Sequence, residues 1–344
     1  MKNKKILISD PTLRDGNHAV SHQINKSSLA KYCKAADNAG VPIVEVGHGN
    51  GLGASSILVG ESLVSDEKII TTARKNLLKS QLGVHAIPGF CTIDKDMKMA
   101  VENGVDVFRI ASHCTESDIT KKHIEFVRKH DKRVFGVLMM THMVKCEELV
   151  IQALKIQSYG AHGVIIMDSA GSFIPNEVKK RIKKLINVLS IDVGFHAHNN
   201  LGMGIANSIA AVEAGATIVD GTSCGFGAGA GNAQLEVLVA VLSKMGFDTG
   251  IDLYKILDVS EVAIKELIPV LPYISSLSII SGLSGVFSGF VKEVKKVSKI
   301  NCIDPRDVFF ELGKLGAVAG QESMISEVAY KLKNKKNQSQ EFKF

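Results

Sequence analysis

Eight times in its first two thirds, the chain sets a short run rich in β-branched and apolar residues before a longer amphipathic stretch. The candidate strands are Ile6–Ser9, Ile43–Val46, Leu82–Ile87, Val105–Ile110, Val134–Leu138, Gly163–Met167, Asp192–Phe195 and Thr217–Val219. Helical patterning falls on Ser28–Ala39, Asp94–Asn103, Ile119–Lys129, Cys146–Tyr159, Pro175–Leu189, Gly204–Ala214 and Asn232–Lys244. Glycines that suit a left-handed helix end stand at Gly40, Gly104, Gly160, Gly215 and Gly246. Such alternation implies parallel pairing, because a parallel strand is reached only through a crossover connection. Eight units over roughly 250 residues is the size of a closed (β/α)8 TIM barrel, although an open doubly wound sheet would alternate in the same way.

The placement of polar residues favours the barrel, whose sites collect at the C-terminal ends of the strands. Strand one leads into Arg14, Asp15 and His18, and strand two carries Glu45 and His48. His85 lies on strand three, Arg109 and His113 follow on strand four, and His142 comes after strand five. Asp168 and Ser169 close strand six, His196 and His198 close strand seven, and Asp220 and Cys224 follow strand eight. One end of the sheet thus gathers nearly every side chain capable of chemistry.

After about residue 258 the alternation stops, and Ser260–Ile268, Gly285–Lys295, Pro305–Leu315 and Gln321–Lys333 read as helices without strands between them. We therefore expect a barrel domain over 1–258 and a small all-helical domain over 259–344. That second domain is either a packing cover or, through the small-residue segment Gly282–Gly289, the source of a loop that returns to the barrel mouth.

A chain of 344 residues with 45% hydrophobic content can bury a core without covalent staples. Its start, Met-Lys-Asn-Lys-Lys-Ile-Leu-Ile-Ser-Asp, turns polar too soon for a signal peptide, and no apolar run reaches membrane-spanning length, so a cytoplasmic protein without membrane contact is expected. Six scattered cysteines lack C-x-x-C spacing and read as reduced structural thiols. The net charge of +6 includes Lys179-Lys-Arg-Ile-Lys-Lys and Lys331-Leu-Lys-Asn-Lys-Lys, which read as solvated helix faces. With no tryptophan and only five tyrosines there is no stacking platform for bases, so nucleic acid is not an expected partner.

His196-Ala-His198 ends an apolar run, and residues two apart on an extended segment face the same way. Two imidazoles with one carboxylate, here Asp15, make a ligand set for a divalent ion with open positions. With 11 histidines in the chain an H-x-H can arise by accident, and Asp15 is what favours the metal reading.

Six segments taken in order are more specific than any one of them. They are Pro11-Thr-Leu-Arg-Asp-Gly-Asn-His18, Val44-Glu-Val-Gly-His-Gly49, Ala111-Ser-His-Cys-Thr-Glu-Ser-Asp118, Leu138-Met-Met-Thr-His-Met143, Phe195-His-Ala-His-Asn-Asn-Leu201 and Gly225-Phe-Gly-Ala-Gly-Ala-Gly-Asn232. Together they resemble the 4-hydroxy-2-oxovalerate aldolase family, metal-dependent pyruvate aldolases in the wider group of hydroxymethylglutaryl-CoA lyase and isopropylmalate synthase.

The resemblance implies a divalent ion, Mn2+ first and Mg2+, Co2+ or Zn2+ as alternatives, held by Asp15, His196 and His198, with pyruvate completing its shell. It implies Arg14 as the group that stabilises the enolate oxygen, a salt bridge to Asp15 being the alternative or a companion role. His18 would be the base at the 4-hydroxyl, and Ser169 the hydroxyl on the substrate carboxylate. Asp168 and Asn199 are candidates to orient a ligand histidine. Gly225–Asn232 is either an amide nest for an anion or a close-packed turn.

Two positions depart from the family pattern. Phe287 stands where the aldolases place a substrate-contacting tyrosine, which leaves substrate stereochemistry open. His85 replaces a leucine near the aldehyde, so either it offers a polar handle for a more polar aldehyde or it sits in the core on a backbone carbonyl. The implied reaction is reversible cleavage of a 4-hydroxy-2-oxoacid to pyruvate and an aldehyde. A Claisen-type acyl-CoA lyase or synthase on the same ligands, and a non-catalytic partner subunit, are the alternatives. Such aldolases often pair with an acylating aldehyde dehydrogenase, and the C-terminal helices could form that contact or one within a homo-oligomer.

Overall fold

In the computed structural model, which describes residues 4–318 and 320–341, eight parallel strands hydrogen-bond in sequence order and the first pairs with the last. The strands are β1 (Leu7–Leu13), β2 (Ile43–Val46), β3 (Gln81–Ala86), β4 (Val107–His113), β5 (Arg133–Met139), β6 (Gly163–Asp168), β7 (Asp192–Ala197) and β8 (Ile218–Asp220). The barrel expected from the alternation is what forms, and the open doubly wound sheet is excluded by closure.

Outside the strands lie α1 (Lys26–Ala39), α2 (Asp66–Asn76), α3 (Lys98–Glu102), α4 (Lys121–Lys129), α5 (Cys146–Ser158), α6 (Pro175–Ile186), α7 (Gly204–Glu213) and α8 (Leu235–Lys244). All five expected glycines, Gly40, Gly104, Gly160, Gly215 and Gly246, have positive φ. The bore is floored by Ile43, Val107, Phe135, Ile165 and Ile218, and a larger apolar layer fills the space between strands and helices. No helix among the described residues is long and apolar enough to cross a membrane.

Several elements differ from the sequence reading, each for a local reason. β1 runs on to Leu13, and its register with β2 shifts between Asp10 and Leu13, where the Asp10 carboxylate accepts the Thr12 N–H at 2.9 Å. Helix α2 has no counterpart in the reading because its polar first turn, Asp66-Glu-Lys, masks the short apolar face of Ile69, Ile70 and Ala73. The helix expected over 94–103 opens instead with one wide π turn over Ile93–Met97, where Asp96 accepts from the N–H and hydroxyl of Thr92.

The chain then continues through α9 (Leu253–Glu266), α10 (Ser276–Ser284), α11 (Val291–Asn301), α12 (Pro305–Lys314) and α13 (Ser323–Glu341). Helix α9 begins earlier than expected, capped by Asp252, and Ile256, Val259 and Ala263 join the barrel's apolar layer. A helix starting at Gly285 does not form. That glycine is the left-handed end (φ 67°) of α10, which Ser275 caps, and the next α-helix starts at Val291. Helices α10 to α13 close a second core around Val286, Phe290, Val308, Phe309, Leu312 and Ile325.

Candidate active site

Asp15 and His18 leave β1 in a single 3-10 turn, Asp15–His18, so residues three apart lie on the same side of it. His196 ends β7 facing the bore, and His198 follows it on the same side. The ligand atoms of Asp15, His196 and His198 lie within 4.8 Å of one another, and all three residues are buried. His198 Nε2 stands 3.9 Å from Asp15 Oδ2, too far for a hydrogen bond.

Both imidazoles are held in the same tautomer. His196 Nδ1 donates to Asp220 Oδ2 at 2.7 Å, and His198 Nδ1 donates to the Asp168 carbonyl at 2.9 Å. A carboxylate and a carbonyl only accept here, so each Nδ1 carries a proton, and in the neutral ring each Nε2 presents a lone pair. His196 Nε2 is buried without a partner. Two aimed lone pairs beside a buried carboxylate fit a divalent cation, and leave that nitrogen unsatisfied without one.

The carboxylate is held from both sides. Arg14 Nη1 donates to Asp15 Oδ1 at 2.8 Å, while Asn232 Nδ2 and the Ala228 N–H donate to Oδ2 at 2.6 and 3.3 Å. Burial would raise Asp15, but Arg14 and the neighbouring histidines outweigh it and hold the carboxyl well below its usual range. The segment 225–232 is therefore a tight turn that cradles a protein carboxylate with one amide and one side chain, reconciling its two readings.

Arg14 makes the salt bridge to Asp15 that was considered for it and keeps one free donor beside this centre. It pairs with Asp15, its Nε donates to Glu45, and its Nη2 is buried with no partner. His18 packs its ring on Gly49, where an added Cβ would fall 2.6 Å from it, and meets the edge of His22 at 5.3 Å between centroids. Burial lowers the His18 pKa, partly offset by Asp15, so the ring is neutral at pH 7 and can accept a proton.

Among the other expected residues, Ser169 is buried and its Oγ accepts the Met140 N–H at 3.0 Å. His85 faces the bore with Nδ1 buried and unpartnered, so the backbone-carbonyl alternative does not hold for that nitrogen. Burial and the nearby Arg14 press its pKa down to about 3. Phe287 packs edge-on to Phe290 at 6.0 Å, on the second core. Its neighbour Ser288 does return to the barrel mouth, taking a hydrogen bond from Asn200 Nδ2 at 2.5 Å, and His142 Nε2 donates to the Gly285 carbonyl at 2.9 Å.

Of the two candidates to orient a ligand histidine, one does so. Asp168 orients His198 through its backbone carbonyl, because its carboxylate is engaged by the N–H groups of Ser172 and Phe173. Asn199 does not hold His198, since its side chain accepts the Gly204 N–H instead. The sequence places Glu45, Arg109 and Asp220 at the reactive end of the barrel but does not announce the contacts of that layer, nor that the Asn232 side chain reaches Asp15. Charged residues in the middle of apolar strands were the available signal.

Residues 5–263 match the HMGL-like family model, and residues 272–334 match that of the DmpG-like communication domain. The chain is 61% identical over 338 residues to the 4-hydroxy-2-oxovalerate aldolase of Pectobacterium atrosepticum, covering 98% of each chain. It is 58% identical over 332 residues to that of Spirochaeta aurantia, covering 96% of this chain and 97% of the other. The carboxyl transferase domain of Rhizobium etli pyruvate carboxylase shares the fold, with a TM-score of 0.80 at 16% identity, over 96% of this chain and 60% of that one.

Proposed function

Because the chain belongs to the 4-hydroxy-2-oxovalerate aldolase family, a family of carbon–carbon lyases, we propose a residue-level mechanism for cleavage of a 4-hydroxy-2-oxoacid to pyruvate and an aldehyde. The observation that carries it is the buried, lone-pair-bearing pair of histidines beside Asp15. A divalent ion held by Asp15, His196 and His198, Mn2+ before Mg2+, Co2+ or Zn2+, would supply a Lewis acid for the keto oxygen of the pyruvoyl group.

His18 takes the proton of the 4-hydroxyl as that oxygen becomes the aldehyde carbonyl. The bond between carbons 3 and 4 breaks, its electron pair becomes the double bond between carbons 2 and 3, charge collects on the oxygen of carbon 2, and a proton from water then reaches carbon 3 to give pyruvate. Arg14 Nη2, unpartnered and permanently charged, donates to that oxygen. Burial lowers the Arg14 pKa, but Glu45 and Asp15 reverse the effect, so the guanidinium stays ionised. Ser169 binds the substrate carboxylate, and His85 and Phe287 border the aldehyde.

A division between a barrel domain, 1–258, and a helical domain, 259–344, would cut α9, and the packing of its Ile256, Val259 and Ala263 in the barrel's apolar layer supports a division after that helix. The C-terminal helices serve partner contact, with an acylating aldehyde dehydrogenase or a further copy of this chain as the occupant. The setting is cytoplasmic. Protein stripped of metal and reloaded with Mn2+ should condense pyruvate with an aldehyde to a 4-hydroxy-2-oxoacid, identified by mass. Product formed equally well by the stripped protein would overturn the reading.

A further inference from the structure

The barrel's bore carries a charge it does not need for packing. Arg109 on β4 is fully buried and lies between Val107 and Ala111, both part of the apolar bore. Taking a guanidinium out of water costs several kcal/mol before its partners offset it, and branched apolar side chains fill most barrel interiors. Its contacts connect two halves of the site. Nη2 meets Asp220 Oδ2 at 2.6 Å, and that same oxygen accepts from the ligand His196 at 2.7 Å. Nη1 faces Glu45 Oε2 at 3.1 Å, while the other oxygen of Glu45 accepts from Arg14 Nε. A weaker contact from Nη1 reaches Ser9 Oγ at 3.4 Å.

We infer that Arg109 is a positioning residue whose single guanidinium fixes the metal ligand His196 through Asp220 and the substrate-facing Arg14 through Glu45. Each carboxylate is shared between Arg109 and one working residue, so both working residues are oriented by the same rigid fork. Their free ends, His196 Nε2 and Arg14 Nη2, lie buried without partners beside Asp15. A lysine keeps the charge but presents one compact ammonium where two carboxylates on β2 and β8 must be reached at once. The inference rests on the aldolase reading of the site.

The test uses the full chain with Arg109→Lys, in two measurements: Mn2+ affinity of the metal-free protein by titration, and kinetics with 4-hydroxy-2-oxovalerate at saturating Mn2+. We expect a folded protein whose Mn2+ affinity falls about 10- to 100-fold, as disturbing the partners of metal ligands does. The kcat should fall at least about tenfold even when the metal is saturating, with KM little changed, because an interaction made in the transition state has been disturbed. An arginine with a purely structural role would lower the melting temperature and leave both readouts alone.

Single substitutions should separate the branches. Asp220→Asn weakens Mn2+ binding, whereas Glu45→Gln lowers kcat and leaves Mn2+ affinity within about twofold, the scale of a perturbation that does not reach the ligands. Mn2+ affinity and kcat both unchanged in Arg109→Lys would overturn the inference. Should that variant not fold, wild-type Mn2+ affinity in Asp220→Asn overturns it equally. If instead the unaltered protein neither binds Mn2+ nor cleaves the oxoacid, the aldolase reading itself has failed.

Discussion

Gly227→Ala tests whether Asp15 is a metal ligand without substituting any proposed ligand. Gly227 has ordinary backbone geometry, so a methyl group introduces no φ strain, but its Cβ would fall 2.5 Å from Asp15 Oδ2 and closer still to Asn232 Nδ2. Cβ contacts under 3.0 Å essentially do not occur, so the carboxylate oxygen must retreat by at least about 0.5 Å. Metal–ligand distances tolerate only about 0.2 Å, so the displaced oxygen no longer ligates well and affinity should drop about 100-fold. Overpacking alone costs about 1–3 kcal/mol whether or not metal is present. Metal at 1,000 times its dissociation constant stabilises the native state by about 4 kcal/mol, and a 100-fold weaker site retains about 1.4 kcal/mol of that. Thermal melts with chelator and with Mn2+ separate the two effects, because overpacking lowers both curves while ligand loss shrinks the gap between them. An undiminished gap in Gly227→Ala would refute the assignment of Asp15 to the metal.

His18→Ala should lower the rate of aldol cleavage about 100-fold and leave Mn2+ affinity unchanged; rates equal within error would remove His18 from the mechanism. The unaltered enzyme should favour a hydroxylated aldehyde over acetaldehyde in condensation with pyruvate, and His85→Leu should reduce that ratio about tenfold, the worth of one good hydrogen bond. A preference of the unaltered enzyme for unsubstituted short aldehydes would defeat the role of His85. Acid should unfold the protein early, because burial presses His22, His48 and His85 down to about 3, about 4 and about 3. Above an unfolded value near 6.5 neither state binds these protons, and as pH falls from there towards 4 only the unfolded chain takes them up. Each such histidine then removes roughly 1 kcal/mol of stability per pH unit. Urea midpoints that do not move between pH 7 and pH 5 would show that these rings are not held neutral.

The barrel was legible because a strand buried on both faces must be apolar along its length, and eight short apolar runs separated by helical patterning leave few topologies. The candidate ligand set was legible for a related reason: strand alternation alone aligns His196 with His198, and one 3-10 turn aligns Asp15 with His18. Contacts made at long range were hidden. Asn232 reaches Asp15 across 217 positions, and Arg109 reaches Asp220 across 111, and nothing local to either residue announces its partner. The stack of His22 on His48, at 3.6 Å between centroids, depends on a left-handed backbone at His22 (φ 63°), a conformation that histidine rarely adopts. The mistaken helix at Gly285 came from reading a glycine as a helix start when a glycine more often ends one.

Charge balance ties these separate observations into one argument. Asp15, Glu45 and Asp220 carry three negative charges in a continuous chain of contacts, against two positive ones on Arg14 and Arg109. The ligand histidines add none in the form that binds a metal, each with its proton on Nδ1 and a lone pair on Nε2. Left alone, the buried layer is short by one positive charge, an arrangement that a low-dielectric interior penalises. A divalent cation overshoots by one, and the overshoot suits a substrate that brings a single carboxylate. The cation and the anion are thus each favoured by the other's presence, with the balancing charge supplied one layer beneath the reacting atoms. Under the proposed mechanism, the same layer would let the oxygen of carbon 2 gain charge during bond cleavage beside the unpartnered Nη2 of Arg14.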